Sequence, residues 1–348
     1  MALRVGIVGS SFGGTVHAPA YRVHPLYEVV ALASPHNAAR IAGELAIPHH
    51  FTGVDEMLAA LGDSLDIVSV ATPPAEHHHA VMAAIAARKH VLCEKPFALT
   101  LEEATEMSAA AAAAGVTGAL AFEFRFAPAV QTMRRYVVED RLPLLREIEI
   151  VRWGSELVAT AQRPPSRWWY DGAQGGGIAN AFMPHLVDLA CFLAGRAPRA
   201  ASGFIRTANP LRIAPDGSGY TNTASDGAFA LLDLGDGLVG KVTADGTRTR
   251  NRCVYALGGE TQRLVAGGPD MLNMQLLLSD AERSETVPAD PARHPEAAGE
   301  RPNIRLFLSL LDEFARAIGG HEHHCPTFAD GLAVQRVLDA IGYGRPVR

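Results

Sequence analysis

The stretch LRVGIVGSSFGG, residues 3 to 14, decides how the first part of the chain folds. Leu3 to Val8 is an apolar run of strand length. Gly9, Ser11 and Gly14 then occupy the three places of a G-x-G-x-x-G turn, and Gly13 to Val23 reads as a helix. In such a turn the first glycine bends the chain. The second lets the backbone approach a pyrophosphate, and the third lets helix and strand pack closely. The phosphates would lie at the helix N-terminus, where free N–H groups and the dipole favour anions. Ser11 replaces the middle glycine. If that place needs left-handed backbone, serine costs roughly 1–2 kcal/mol. A hydroxyl bonded to a charged phosphate returns roughly 1.5–3 kcal/mol, so the change leaves binding possible. Gly9, Ser10, Ser11, Phe12 and Gly14 are the expected phosphate-side contacts.

Working outward, the same rhythm repeats. Glu28–Ala33, Asp66–Ala71, His90–Cys93 and Thr117–Ala121 read as strands. His36–Leu45, Ala75–Arg88 and Leu101–Ala114 read as helices. Repeated strand–helix units imply a doubly wound parallel sheet of Rossmann type, with its ligand at the carboxyl ends of the strands. After about Phe124 the rhythm changes. Arg146–Trp153 alternates, and Gly227–Leu234 and Leu238–Ala244 are strands joined by Gly235-Asp236-Gly237, a hairpin signal. Asn251–Leu257 and Thr261–Ala266 continue as strands, Val287–Arg301 is a loop, and Ile304–Ile318 and Ala329–Ile341 are closing helices. The expected fold is an α/β Rossmann-type domain, residues 1–123, followed by an α+β domain with an open, mostly antiparallel sheet, residues 124–348. The last helix is expected to pack back on the first domain.

Composition narrows the function. The 348 residues are 48% apolar, enough for a large core. A net charge of -6 argues against a nucleic-acid partner. No apolar run reaches the roughly 18 residues of a membrane span, and no secretory leader is expected. Four dispersed cysteines and the absence of C-x-x-C read as buried free thiols in a cytoplasmic protein. His77-His78-His79 and His321-Glu322-His323-His324-Cys325 are the only metal-like clusters, and both read as surface; no metal is expected.

Two further motifs carry chemistry. Ala71-Thr72-Pro73-Pro74 ends a strand, with His77 on the helix behind it. Residues 91–104, VLCEKPFALTLEEA, end a strand in Glu94-Lys95-Pro96. Pro96 bars Lys95 from helical backbone, so Lys95 stays extended at the strand's carboxyl end. The order of glycine turn, ATPxxxH and HVLCEKPxAxxxxEA resembles the glucose–fructose oxidoreductase, inositol dehydrogenase and rhizopine-catabolism (Gfo/Idh/MocA) family. Glu123-Phe124-Arg125-Phe126-Ala127-Pro128, then Gly175-Gly176-Gly177 with His185 and Asp188, then Phe328-Ala329-Asp330-Gly331-Leu332 extend the resemblance over most of the chain. It implies an NAD(P)-dependent oxidoreductase acting on sugars, cyclitols or related compounds. It further implies a homodimer or homotetramer built on the open sheet. Ala71, Thr72, Pro73, His77, Glu94, Lys95, Pro96 and Glu123 join the cofactor side.

Oxidation of an alcohol releases a proton as the hydride leaves, so an acid/base is needed. Lys95 is the first candidate and His185 the second, with Asp188 one helical turn on and favoured as structural. Many members of the family carry Asp four residues before this histidine; here Ala181 stands there, which makes the surroundings less polar. Arg125, Trp168 and Asn180 are the further substrate candidates, and Arg125 has Glu94 as an alternative partner. NAD sites usually place an acid at the end of the second strand. Here Ser34, followed by His36 and Arg40, tilts the cofactor toward NADP over NAD. Two other readings compete: a glycosidase that recycles a bound NAD, and a non-catalytic sensor of dinucleotide or metabolite.

Overall fold

The computed structural model describes residues 2–158, 167–214 and 216–343. The chain forms two compact units, Met1–Glu123 with Arg293–Leu332, and Phe124–Ala292 with Ala333–Arg348.

The first unit begins with β1 (Leu3–Val8), a π-helical turn at Gly13–His17 and α1 (Ala18–Val23). It continues through β2 (Tyr27–Ala33), α2 (Ala38–Glu44), β3 (His49–Phe51), α3 (Val54–Leu61), β4 (Ile67–Val70), α4 (His77–Ala86), β5 (His90–Cys93), α5 (Leu101–Ala114) and β6 (Gly118–Leu120). The strands pair in parallel in the order β3-β2-β1-β4-β5-β6. Val5, Ile7, Ile67, Val68, Val91 and Leu92 are fully buried, as strands covered on both faces require. The chain leaves β1 toward one edge of the sheet and returns at β4 to build the other. The boundary between β1 and β4 is therefore the switch point where such sheets open a ligand crevice. α5 starts with a capping box between Thr100 and Glu103 and stops at left-handed Gly115, which explains why its ends match the sequence.

The second unit opens with α6 (Pro128–Val138), β7 (Glu147–Trp153), α7 (Ile178–Ala181) and α8 (Met183–Ala194). Nine strands follow: β8 (Ala200–Arg206), β9 (Leu211–Ile213), β10 (Gly219–Thr221), β11 (Gly227–Asp233), β12 (Val239–Asp245), β13 (Arg252–Gly258), β14 (Arg263–Gly268), β15 (Gln275–Ser279) and β16 (Ser284–Val287). Eight strands make one open sheet, β16-β15-β14-β13-β7-β12-β11-β8, parallel only between β7 and β12. The expected open, mostly antiparallel sheet is therefore present. β9 and β10 pair separately. α8 packs on β7 and β12, while Phe204, Leu231 and Leu277 stay exposed.

The chain closes with α9 (Pro302–Ile318) and α10 (Phe328–Ala340). Within the first unit, α9 lies on α1. Leu120 donates its N–H to Pro326 O, and the Phe97 and Phe328 rings meet at 4.5 Å.

Candidate active site

The glycine turn follows β1 at the switch point. Gly9 has φ +108°, and a Cβ there would lie 2.3 Å from the Ala71 carbonyl oxygen, so the turn is pressed against the end of β4. Ser11 is not among the residues with left-handed backbone, so it carries no conformational penalty. The Ser10 and Ser34 hydroxyls meet at 2.9 Å and join the ends of β1 and β2. The Thr72 hydroxyl, just past β4, is buried without a partner among the described residues. A turn that a side chain would fill, beside an orphaned hydroxyl at the carboxyl edge, fits a dinucleotide.

A hollow of about 290 Å³ lies at the end of β2, lined by Ser34, His36, His50, Phe51 and Glu56. Arg40 does not line it and pairs with Glu44 at 2.6 Å. Glu56, which sequence reasoning missed, accepts from the Thr52 N–H and hydroxyl; these bonds hold its carboxyl below the ordinary carboxylate range. The first turn of α3 thus brings an acid to the hollow at the end of β2.

Lys95 lies two residues past the end of β5 and is half-buried. The Lys95–Pro96 peptide is cis. Glu94 is buried; its Oε2 accepts the Lys95 N–H at 3.1 Å, and its Oε1 meets His17 Nε2 at 3.1 Å. Burial pushes the Glu94 carboxyl up, but the His17 hydrogen bond and the neighbouring Lys95 charge outweigh it and hold it below its ordinary value. His77 is buried, with Nδ1 3.0 Å from Pro96 O and Nε2 3.0 Å from Thr72 O. Burial lowers its pKa against the pull of these carbonyls and of Glu94. His78 and His79, next on α4, instead pair on the surface with Glu106 and Asp55. Glu123 is buried in the short helical turn after β6.

The second unit holds the remaining candidates. His185 is buried in the first turn of α8, its ring stacked on Phe124 at 3.8 Å. Arg125 gives Nε and Nη2 to the two oxygens of Asp188, at 2.7 and 2.5 Å, with both residues buried. These two donors of Arg125 are committed to Asp188. Asn180 is buried on α7. Trp168 belongs to a short helical turn, Arg167–Tyr170, but its side chain lies outside the described residues. Gly177 has φ +89°, and a Cβ would meet the Ser225 carbonyl oxygen at 2.4 Å, so the GGG segment is another close approach of two backbones.

Two larger hollows lie apart from these residues. One, of about 800 Å³, is lined by Arg293, Asp312, Arg316 and His321 to His324; the other, of about 930 Å³, by Trp153, Arg248, Arg250, Arg252 and Gln275. Their walls are charged and exposed, with none of the turn or strand-end chemistry above. Among the described residues, no group of three or more His, Cys, Asp or Glu is set to hold a metal, and no helix is long and apolar enough to cross a membrane.

One signal in the sequence went unread. Only Lys89, Lys95 and Lys241 are lysines among 31 lysines and arginines. A chain that otherwise favours arginine keeps an amine at Lys95, and an amine can give up its proton where a guanidinium cannot.

A parallel sheet with a glycine turn at its switch point, followed by an open-sheet unit, defines a dinucleotide-dependent oxidoreductase. Residues 3–122 match the oxidoreductase family with an NAD-binding Rossmann fold, and residues 130–265 match the GFO/IDH/MocA C-terminal domain. The chain belongs to the Gfo/Idh/MocA family, and it is an enzyme with an NAD(P) cofactor. It is 26% identical to levoglucosan dehydrogenase of Pseudarthrobacter phenanthrenivorans, over 97% of this chain and 95% of that protein. It is 28% identical to 1,5-anhydro-D-fructose reductase of Ensifer adhaerens, over 88% of this chain and 85% of that protein. A crystal structure of an oxidoreductase domain protein from Kribbella flavida superposes with a TM-score of 0.84 at 27% identity, with both chains fully covered. Levoglucosan dehydrogenase in complex with NADH gives the same TM-score at 23% identity, again with both chains fully covered, a likeness of fold.

Proposed function

We propose that this enzyme moves a hydride between NADP and a sugar- or cyclitol-like alcohol or carbonyl, with Lys95 as acid/base and His185 assisting. The observation that carries the proposal is the Glu94-Lys95-Pro96 segment at the carboxyl end of β5, next but one to β1 and its glycine turn. The bound nicotinamide supplies or takes the hydride. Lys95 Nζ takes the proton of the substrate hydroxyl in oxidation and returns it in reduction. Glu94 keeps a carboxylate beside that amine. Gly9, Ser10, Ser11, Phe12 and Gly14 receive the pyrophosphate, and Thr72 offers it or the ribose a hydroxyl. His185 is the second proton carrier, and Arg125, Trp168 and Asn180 are candidate substrate contacts. The substrate class follows relatives whose names are levoglucosan dehydrogenase, 1,5-anhydro-D-fructose reductase and scyllo-inositol 2-dehydrogenase (NADP(+)). Ser34 and His36 favour NADP at the ribose, and Glu56 opposes it. The open sheet, with Phe204, Leu231 and Leu277 exposed, is the proposed face of a homodimer or homotetramer.

The test is a screen of anhydrosugars, aldoses and inositols with NADP and NAD, read by nicotinamide absorbance. Turnover of a member of these classes that falls by about 10²- to 10⁴-fold in Lys95→Ala supports the proposal. Unchanged turnover in Lys95→Ala overturns the role of Lys95. Turnover restricted to compounds without a sugar or cyclitol ring overturns the substrate class.

A further inference from the structure

We infer that His17 is a positioning residue for the acid/base, acting on Lys95 through Glu94; the inference rests on the role proposed for Lys95. His17 closes the π-helical turn that follows the glycines. Such a turn inserts a residue into helical backbone and is frequent at functional sites. Here it ends on an imidazole that is fully buried. His17 Nδ1 lies 2.8 Å from the Ser69 hydroxyl, and Tyr21 OH donates to the same hydroxyl at 3.2 Å. Ser69 and Tyr21 are also fully buried, and the Phe307 ring covers His17 at 4.5 Å.

The directions of these bonds follow from chemistry. A carboxylate only accepts, so His17 Nε2 carries the hydrogen shared with Glu94 Oε1. In that tautomer Nδ1 accepts from Ser69, which accepts in turn from Tyr21. The donors therefore run Tyr21, Ser69, His17, and the chain ends on the acceptor Glu94. Glu94 Oε2 accepts the Lys95 N–H. Both carboxylate oxygens are thus committed, one to a side chain from the glycine turn and one to the backbone that carries the amine. An apolar filling of this space would pack as well, so stability alone does not call for four polar groups in a row. What the network adds is a fixed orientation for the charge beside Lys95. Without His17, Glu94 Oε1 loses its partner and the carboxylate can turn, bringing its charge closer to the Lys95 amine.

Two variants separate positioning from packing. In His17→Gln the amide nitrogen takes the place of Nε2 and still reaches Glu94. In His17→Asn the shorter amide reaches only the place of Nδ1, where its oxygen accepts from Ser69 and nothing reaches Glu94. With the best substrate of the screen, His17→Asn is expected to lose about 10- to 100-fold in kcat, the scale of a misplacement of about 1 Å. NADPH affinity should stay within about twofold, and His17→Gln should keep kcat within about fivefold. A second readout needs no turnover. Acetylation of Lys95 by a succinimidyl ester, followed by mass spectrometry with Lys89 and Lys241 as internal references, should slow by about threefold or more in His17→Asn and not in His17→Gln. Equal behaviour of the two variants in both readouts overturns the inference, as does a loss of NADPH affinity as large as the loss of kcat. If His17→Asn does not fold, Ser69→Ala, which leaves His17 in place but unanchored, must slow Lys95 acetylation; an unchanged rate overturns the inference. Slowed acetylation together with an active Lys95→Ala overturns the acid/base role that the inference serves and leaves the hydrogen-bond coupling intact.

Discussion

Gly9→Ala is the substitution for which the structure makes the sharpest demand. The backbone there has φ +108°, and the added Cβ would sit 2.3 Å from Ala71 O, 2.6 Å from Ala71 C and 3.0 Å from Thr72 N. None of these atoms is the end of a flexible side chain. Ala71 is itself fixed by its N–H to Val8 O at 2.7 Å, and Gly9 by its N–H to Ala33 O at 2.9 Å. Holding a non-glycine residue in such backbone costs roughly 1–3 kcal/mol. Relieving the overpacking costs roughly another 1–3 kcal/mol. The sum, about 2–6 kcal/mol, is a large part of the roughly 5–15 kcal/mol of a folded domain. Urea unfolding should show a markedly lower midpoint. NADPH titration by tryptophan quenching should show binding weakened by about tenfold or more, because the turn must shift away from β4. Two controls bracket the result. Gly43 lies in α2 with nothing within 4 Å of an added Cβ, so Gly43→Ala should stabilise by about 0.5–1 kcal/mol. Ser11→Gly should leave the urea midpoint without a gain, since Ser11 is not left-handed and glycine relieves no strain, and should weaken NADPH binding by about tenfold as its hydroxyl is lost from the phosphate. Gly9→Ala with a wild-type midpoint and wild-type affinity would refute the reasoning.

Arg125→Ala should cost about 3–5 kcal/mol in urea unfolding by removing the buried partner of Asp188, whereas Arg125→Met with Asp188→Leu should recover most of it; equal losses in the single and double variants would contradict this reading of the pair. Thr72→Val should raise the stability of the cofactor-free protein by about 1 kcal/mol, as the orphaned hydroxyl is removed, and weaken NADPH binding by about tenfold; a stability unchanged or lowered, measured by the same unfolding, would show that the hydroxyl is satisfied. Acid should destabilise the protein through Glu94, Asp245 and Asp312. Burial pushes each carboxyl up, but hydrogen bonds from His17, from Thr247, and from His24 and His294 respectively, with nearby positive charge, leave each below its ordinary value. Because the folded-state values are depressed, the unfolded chain binds protons first as pH falls. Their contribution is fully present above the ordinary carboxylate values near about 4 and is lost as pH drops through the depressed ones. The urea midpoint followed from neutral pH into acid should fall in that window, and a flat profile would contradict it.

How much of this was readable beforehand varies with the kind of signal. β1 and β5 stood out because short apolar runs ended at glycine or at Glu-Lys-Pro. α5 stood out because Thr100 and Gly115 cap it. β3 did not: it is three residues long, and two of them, His49 and His50, are exposed. α6, β8, β15 and β16 were also unread. In β8, AASGFIR, the burial pattern shows no clean alternation, so no period-two signal was available. Gly13 to Val23 read as one helix, whereas a π-helical turn, Gly13–His17, precedes α1. The Arg125–Asp188 pair spans 63 positions and the His17–Glu94 pair 77. No local spacing reports such pairs; they exist because the fold brings distant segments together.

The two buried histidines of the first unit make one argument when taken together. β1 and β4 are neighbours, and both deliver their helices to the same carboxyl edge. His17 ends the turn after β1, and His77 begins α4 after β4. Both reach the end of β5, which pairs with β4. His17 takes the Glu94 side chain, while His77 lies against the carbonyls of Pro96 and Phe97. Lys95 therefore stands between two imidazole contacts, one on the residue before it and one on the residues after it. A surface lysine needs neither. An amine that must meet a substrate hydroxyl within hydrogen-bond distance needs a backbone that does not wander, because misplacement by about 1 Å costs about 10²-fold. On this reasoning the histidines need not move protons at all. Their work is to hold still Lys95, the residue proposed above as acid/base.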